Sequence, residues 1–176
     1  VFTAKNLQDI GAFNLEDVAK RTPGFQYSAQ GNTEPGRGTT VLRFRGMHGP
    51  SELATPFIDG IPVMGGIAGI GLEDVERIEV IKGPQSAFFG RATFGGAVNF
   101  ITRNPNDKEY KGQLSTKVAQ QGLYDISLSH EGPIIPGKLS YRVTGRTYHT
   151  DGPYRSVADQ GKLGEESTNA LQVTLR

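Results

Sequence analysis

The chain has 176 residues, a formal net charge of +1, 24 glycines and no cysteine. A charge this close to zero argues against nucleic acid as a partner, and the lack of cysteine excludes a disulfide scaffold and thiolate metal sites. No apolar run approaches the length of a membrane-crossing helix, which leaves membrane β-strands possible because they are only half apolar. The first residue is Val, so we expect any signal peptide to be removed or to lie outside this sequence.

The N-terminal third begins with the signals of a short helix. Asn14 can cap this helix, and the apolar residues Leu15, Val18 and Ala19 that follow share one face. The tripeptide Thr22-Pro23-Gly24 is expected to end it. Three segments rich in Gly, Pro or small residues are predicted to be loops: 28–40, 47–56 and 64–71.

Two strand signals lie between these loops. Apolar and polar residues alternate over residues 41–45, and Gly46 ends this first strand. The second strand, residues 57–63, is interrupted by Asp59-Gly60, which is a strong β-hairpin signal. Pro62 cannot donate to a central strand and therefore confines the tail of the hairpin to a sheet edge.

Residues 75–103 combine two strands with a Gly-rich turn. Lys82-Gly83-Pro84 stops a strand at residues 77–81, since Pro has no N–H to donate and Gly tolerates the turn. One turn of helix at residues 85–89 and a second strand at residues 97–102 follow. The residues predicted to shape the turns of the N-terminal part are Gly46, Asp59, Gly60, Gly83, Pro84, Gly90, Gly95 and Gly96.

Composition changes at residues 104–107, where we expect a boundary between a first domain, residues 1–105, and a second, residues 106–176. Beyond it the helix signals vanish, and apolar and polar residues alternate strictly. Strands are predicted for four segments: 113–119, 123–131, 139–148 and 171–176.

Two architectures could show this alternation, a soluble antiparallel sheet with one face on a core and a membrane β-barrel. Arg142 and Arg146 on the polar face favour the wet lumen of a barrel. The tight connection at residues 120–123 and the long one at residues 150–168 match short turns on one side of a membrane and long loops on the other. The pattern leaves both architectures open. Because four strands cannot close a barrel, a barrel would make this chain a fragment.

The sequence contains no complete motif for a catalytic site or for a cofactor-binding site. Gly83 and Gly90 are too far apart for a phosphate-binding loop, and the glycines at 65–71 lack the dinucleotide-binding spacing. His48, His130 and His149 are isolated, so they predict no metal site. No Ser lies in a nucleophile elbow. The sequence therefore predicts no enzyme, no metal and no cofactor.

Five motifs resemble, in order and spacing, the plug of TonB-dependent outer-membrane receptors. They are LRFRG at 42–46, FIDGIPV at 57–63, VERIEVIKGP at 75–84, QSAFFG at 85–90 and GGAVNFITRNP at 95–105. The resemblance covers about residues 7–105. It implies an α/β plug, a small mixed sheet with short helices, followed by the first antiparallel strands of a transmembrane β-barrel that is incomplete in this chain. The TonB box of the family is not visible, which agrees with a chain truncated at both ends.

The function that this resemblance implies is active import of a large, scarce nutrient across the outer membrane of a Gram-negative bacterium. The cargo is most often a ferric siderophore, and the energy comes from the TonB-ExbB-ExbD complex. The implied partners are that complex, the cargo and outer-membrane lipid. A receptor for carbohydrate, cobalamin or another organic nutrient is the alternative within transport, and a soluble β-rich binding module is an alternative of another class.

The resemblance also implies two groups of site residues. Arg45 and Lys82 match basic plug positions that pair with acidic residues of the barrel wall, so we expect them to act as a latch. Glu76, Arg77 and Glu79 would belong to the same polar layer between plug and wall. Contact with the cargo would fall to the outward loops 33–38, 48–55 and 64–70, through Arg37, His48, Ser51, Glu52 and Met64.

Overall fold

The chain forms two compact units, Val1–Arg103 and Asn104–Arg176, in a computed structural model. None of the described helices is long and apolar enough to cross a membrane. The domain boundary expected after residue 105 stays a prediction. The structure describes residues 1–12, 14–30, 39–47, 54–63, 67, 71–90, 93–152, 154–158 and 161–176.

Three short helices belong to the first unit: α1 (Ala4–Asp9), α2 (Leu15–Lys20) and α3 (Ser86–Phe89). Asn14 caps α2 by accepting a hydrogen bond from the Asp17 N–H at 3.2 Å, and the three buried side chains of α2 are the ones predicted. No signal in the sequence predicted α1. Its capping box joins Thr3 to Asn6, where the usual partner is Glu or Gln.

Five strands form a mixed sheet in the first unit: β1 (Phe2–Thr3), β4 (Ala54–Ile58), β5 (Ile61–Pro62), β6 (Val75–Lys82) and β7 (Gly96–Thr102). Their order is β1–β6–β7–β4–β5. The central strand β7 runs antiparallel to β6 and parallel to β4. Asp59 and Gly60 turn the β4–β5 hairpin with φ of 49° and 81°, so the predicted hairpin is confirmed.

Strands in the first unit correct two loop predictions. The first correction comes from a separate antiparallel pair, β2 (Phe25–Gln30) and β3 (Thr39–Phe44). Ser28 to Gln30 and Thr39 to Thr40 belong to strands and not to a loop at 28–40. Likewise β4 begins at Ala54, inside the loop predicted at 47–56. These residues are mostly polar, but strand pairing uses the backbone N–H and C=O groups, which polar residues also carry.

An apolar cluster joins α1 and α2 to the strands of the first unit. Phe25 and Phe44 stack in it with ring centroids 5.0 Å apart. Strand β7 is buried from Gly96 to Phe100: β6 and β4 pair with its two edges, and Val98 and Phe100 pack in the apolar cluster. Full burial of a side chain such as Phe44 or Ile78 contributes about 1.5–3 kcal/mol to stability. This core fixes the position of β6, which carries four charged residues.

Four long strands form the antiparallel sheet of the second unit: β8 (Lys111–Val118), β9 (Tyr124–Ile135), β10 (Leu139–Thr150) and β13 (Glu166–Leu175). Their order is β13–β10–β9–β8, and the four predicted strands are confirmed. The loop predicted at 150–168 is wrong at both ends, since β10 includes Thr150 and β13 begins at Glu166. Between them, β11 (Tyr154–Arg155) and β12 (Lys162–Leu163) form a small hairpin.

The connections of this sheet correct a second expectation. Successive antiparallel strands reverse direction, so the β8–β9 turn and the β10–β13 connection lie at the same end. The Asp151 N–H donates a hydrogen bond to the Gln121 carbonyl at 2.9 Å across that end. The prediction that these two connections lie on opposite sides is therefore wrong. The opposite end carries the short turn at residues 136–138.

The apolar face of this sheet is exposed, and its polar face is buried. Leu128 and Leu171 are 62% and 74% exposed, whereas Ser129 and Arg142 are each 5% exposed. An antiparallel sheet in water shows the opposite arrangement, with its apolar face on the core. The exposure pattern therefore favours a barrel strand group with a polar interior over the soluble sheet.

Candidate functional site

A row of charged side chains lies at the start of β6. The Arg77 guanidinium lies 2.8 Å from a carboxylate oxygen of Glu79 through Nε and 2.8 Å from one of Glu76 through Nη1. Arg77 and Glu79 share one face because they are two residues apart on a strand. The hydrogen bond to Glu79 is the main cause that raises the pKa of Arg77. The three residues that the resemblance grouped are thus in direct contact.

Asn99 on β7 connects this charged row to the β4–β5 hairpin. Its side-chain amide donates to Glu79 Oε2 at 3.2 Å and accepts from the Gly60 N–H at 3.1 Å. Asn99 is only 5% exposed, so both bonds are shielded from water and are costly to lose. The sequence did not mark Asn99, because its partners are distant along the chain.

Asp59 holds the hairpin turn to the end of β7. Its N–H donates to the Phe100 carbonyl at 2.9 Å, and its carboxylate accepts from the N–H and the hydroxyl of Thr102 at 2.9 and 2.7 Å. Asp tolerates the left-handed backbone that the turn requires. Asp59 therefore acts as a tether in addition to forming the turn.

Asp59→Ala is expected to lower the free energy of unfolding of the complete receptor by about 1–3 kcal/mol, since both Thr102 donors lose their acceptor. Asp59→Asn should cost less, because Asn tolerates the same backbone and keeps one acceptor. Urea titration in detergent measures both, with the exposed Asp107→Ala as control. Equal stability of Asp59→Ala and Asp107→Ala would contradict the tether.

Arg45 and Lys82 meet at a different place, the turn formed by Pro23 and Gly24. The Lys82 side chain donates a hydrogen bond from Nζ to the Pro23 carbonyl, and the backbone N–H of Arg45 donates to the Gly24 carbonyl at 2.7 Å. Among the described residues, no carboxylate pairs with either side chain. The five residues expected in one layer therefore form two groups, one at each end of β6.

The other predicted site residues divide into two sets. The five side chains expected to contact cargo, Arg37, His48, Ser51, Glu52 and Met64, lie outside the described residues. Among the predicted turn residues, positive φ occurs at Gly46, Asp59, Gly60, Gly83, Gly90 and Gly96.

Two arginine–carboxylate pairs lie on the polar face of β9 and β10. Arg142 Nη1 lies 2.9 Å from Glu131 Oε2, and Arg146 contacts both carboxylate oxygens of Asp125 at 2.8 and 3.0 Å. The sequence placed both arginines on this face without naming their partners. The strand register, which sets Arg142 opposite Glu131, was the missing information.

Comparisons with known proteins agree with this architecture. The family model "TonB-dependent Receptor Plug Domain" matches residues 1–97. The chain is 26% identical over 148 residues to the pesticin receptor of Yersinia pestis, covering 82% of this chain and 21% of that protein. It is 31% identical over 181 residues to the ferric enterobactin receptor of Pseudomonas aeruginosa, covering 84% and 24%.

A solved structure shows the same fold. The crystal structure of the ferric yersiniabactin uptake receptor from Yersinia pestis matches with a TM-score of 0.83 at 24% identity, over 98% of this chain and 27% of that one. The chain spans about a fifth to a quarter of the length of these relatives. Because the plug model covers more than half of the residues, the chain belongs to the TonB-dependent receptor family and carries its plug domain followed by antiparallel strands.

Proposed function

We propose that the complete protein is an outer-membrane receptor of a Gram-negative bacterium that imports a ferric siderophore. The observation that carries the proposal is a plug unit followed directly by a sheet with its apolar face exposed and its polar face buried. That arrangement suits strands with lipid on one side and a polar lumen on the other. Outer-membrane lipid is then the partner of the apolar face.

The cargo class rests on the relatives. Two of the proteins compared above are named for ferric enterobactin and ferric yersiniabactin. A receptor of this kind draws its energy from the inner membrane, so TonB with ExbB and ExbD is the proposed energy-transducing partner. The five loop side chains named for cargo contact stay part of this proposal.

Arg45 and Lys82 are proposed to act as a latch on the barrel wall. The backbone N–H of Arg45 and the ammonium group of Lys82 both bond to the Pro23–Gly24 turn, and no carboxylate of the described part of the chain pairs with either side chain. Acidic residues of the wall would supply the partners. Glu76, Arg77 and Glu79 are proposed to face the wall as a separate layer, already neutralised in part by their own contacts.

Iron uptake in living cells tests the function. The complete gene is expressed in a strain that lacks its own siderophore receptors, and radiolabelled iron is supplied as ferric enterobactin, ferric yersiniabactin or ferripyoverdine. We expect uptake of at least one complex, and loss of that uptake when tonB is deleted. Uptake of cobalamin or a carbohydrate with none of these complexes would overturn the siderophore proposal.

A further inference from the structure

Asp151 lies at the centre of a polar cluster at one end of the second sheet, directly after β10. Its Oδ1 accepts hydrogen bonds from Lys162 Nζ at 2.6 Å and from His149 Nε2 at 3.1 Å. Lys162 belongs to the small β11–β12 hairpin, whereas His149 belongs to β10. The Asp151 carboxylate therefore joins the β11–β12 hairpin to strand β10.

The same residue contacts the turn between β8 and β9. Its backbone N–H donates to the Gln121 carbonyl at 2.9 Å. A Cβ atom at Gly122 would lie 2.9 Å from the Asp151 carboxyl carbon, so the carboxylate rests directly on this turn. Asp151 thus bonds to the β11–β12 hairpin, to the β8–β9 turn and to β10, the strand that it directly follows.

His149 is itself held on both sides. Its Nδ1 lies 2.8 Å from the Ser167 hydroxyl on β13, and its ring stacks on Tyr124 of β9 with centroids 5.3 Å apart. An ionised Asp151 can only accept a hydrogen bond, so His149 Nε2 donates to it, and in the neutral imidazole Nδ1 then accepts from the Ser167 hydroxyl. The imidazole thereby extends the cluster to the two strands that flank β10.

The backbone at Gly152, directly after Asp151, also packs closely against the β11–β12 hairpin. A Cβ atom at Gly152 would overlap the Leu163 carbonyl oxygen and lie 2.7 Å from the Gly164 carbonyl oxygen. This contact is independent of the side-chain bonds to Asp151. Together they show that the hairpin is held down on the end of the sheet.

This end carries the longer connection, residues 151–165, and the other end carries the turn at 136–138. Long connections of outer-membrane barrels face the outside of the cell and short turns face the periplasm. The Asp151 cluster therefore lies on the outer side, where a receptor meets its cargo.

We propose that Asp151 is a positioning residue that fixes the β10–β13 connection against the β8–β9 turn and so orders the outer rim before cargo arrives. The part of this inference that concerns cargo rests on the proposed function. A connection that is already ordered loses less conformational entropy when it contacts a ligand. Asp151 thus supports affinity without touching the cargo.

Acid is expected to release this cluster. The hydrogen bond from Lys162, followed by that from His149, lowers the pKa of the Asp151 carboxyl below its ordinary value of 3.8. A carboxyl whose pKa is lowered by folding stabilises the fold fully above its ordinary pKa, and this contribution is lost as the pH falls through the folded value. Amide protection in the β11–β12 hairpin should therefore hold at about pH 5 and fall only in stronger acid. A fall already between about pH 7 and 5 would contradict an anchor made by the Asp151 carboxylate.

Hydrogen exchange of the ligand-free complete receptor in detergent tests the anchor itself. Asp151→Ala removes the carboxylate and should speed exchange about tenfold in the β11–β12 hairpin, while the central amides of β9 and β10 stay protected. Asp151→Pro also removes the N–H that the Gln121 carbonyl accepts and should speed exchange at the β8–β9 turn as well. Lys162→Ala should speed it in the hairpin alone. Glu165→Ala, an exposed carboxylate of the same connection, is the matched control. Unchanged exchange in the hairpin of Asp151→Ala, or at the turn of Asp151→Pro, would overturn the inference.

Binding of ferric enterobactin to the same variants tests the link to cargo. If the wild type binds this probe, Asp151→Ala should weaken the Kd about tenfold and Glu165→Ala should leave it unchanged. An unchanged Kd with faster exchange would overturn the role in cargo affinity. If the wild type binds no ferric siderophore, the proposed function fails, whereas the exchange result still decides whether Asp151 anchors the rim.

Discussion

Gly96→Val is expected to prevent the plug unit from folding. A Cβ atom at Gly96 would overlap the Ile81 carbonyl oxygen and lie 2.8 Å from Phe44 Cδ2. Neither neighbour can move, because Ile81 is paired to β7 and Phe44 is 1% exposed in the core. The backbone adds strain, since φ at Gly96 is 152°. Together these costs exceed about 3 kcal/mol, a large part of the stability of a domain of this size.

Protease resistance of the complete receptor in outer-membrane preparations measures this effect. Gly145→Ala is the matched control, because Gly145 lies in an extended strand and an added Cβ would meet no atom within 4 Å. The control should resist cleavage like the wild type, while Gly96→Val should be cut within residues 1–103. If Gly96→Val resisted the protease and still took up its cargo, the result would contradict the close approach of β7 to β3 and β6.

Arg142→Met is expected to destabilise the second sheet by about 3–5 kcal/mol, because it leaves a buried carboxylate without its cation. Glu131 is 8% exposed and lies 2.9 Å from the Arg142 guanidinium, which also donates to the Ser129 hydroxyl at 3.1 Å. The double variant Arg142→Met with Glu131→Gln should recover much of this loss, since the unpaired charge is gone.

Urea titration of the detergent-solubilised receptor gives the free energies of unfolding for the single and double variants. The difference between the free energies of the single and the double variant isolates the cost of leaving the Glu131 carboxylate buried without a cation. A double variant as unstable as Arg142→Met would mean that Glu131 is well hydrated in the receptor and does not depend on its partner.

The elements that the sequence predicted best have local causes. Asn14 accepts from an N–H three residues away, and Asp59-Gly60 carries its turn geometry in two residues. Strand β2 and the start of β3 were missed because Ser28 and Thr40 look like loop residues, and only pairing between the two segments makes them part of a sheet. Local signals could not supply that pairing.

The same distinction between local and distant partners applies to the residues of the candidate site. The motif around β6 placed Arg77 and Glu79 in a polar layer, and their own spacing brings them into contact. Asn99 and Thr102 were not marked, since each bonds to a partner that is distant along the chain, Glu79 and Asp59 respectively. The error over the two connections of the second sheet was avoidable, because counting reversals of antiparallel strands places residues 120–123 and 150–168 at one end.

The orientation of the second sheet in the membrane tests the receptor interpretation most directly. This chain contains no cysteine, so a single cysteine can be introduced here and labelled with a fluorophore in the complete receptor, once any cysteine elsewhere in the receptor is replaced. Leu128→Cys and Val173→Cys lie on the exposed apolar face, and Ser127→Cys lies on the buried polar face. We predict that spin-labelled lipid acyl chains quench the first two labels and leave the third unquenched. Quenching of the Ser127→Cys label with no quenching at Leu128→Cys and Val173→Cys would contradict the receptor interpretation.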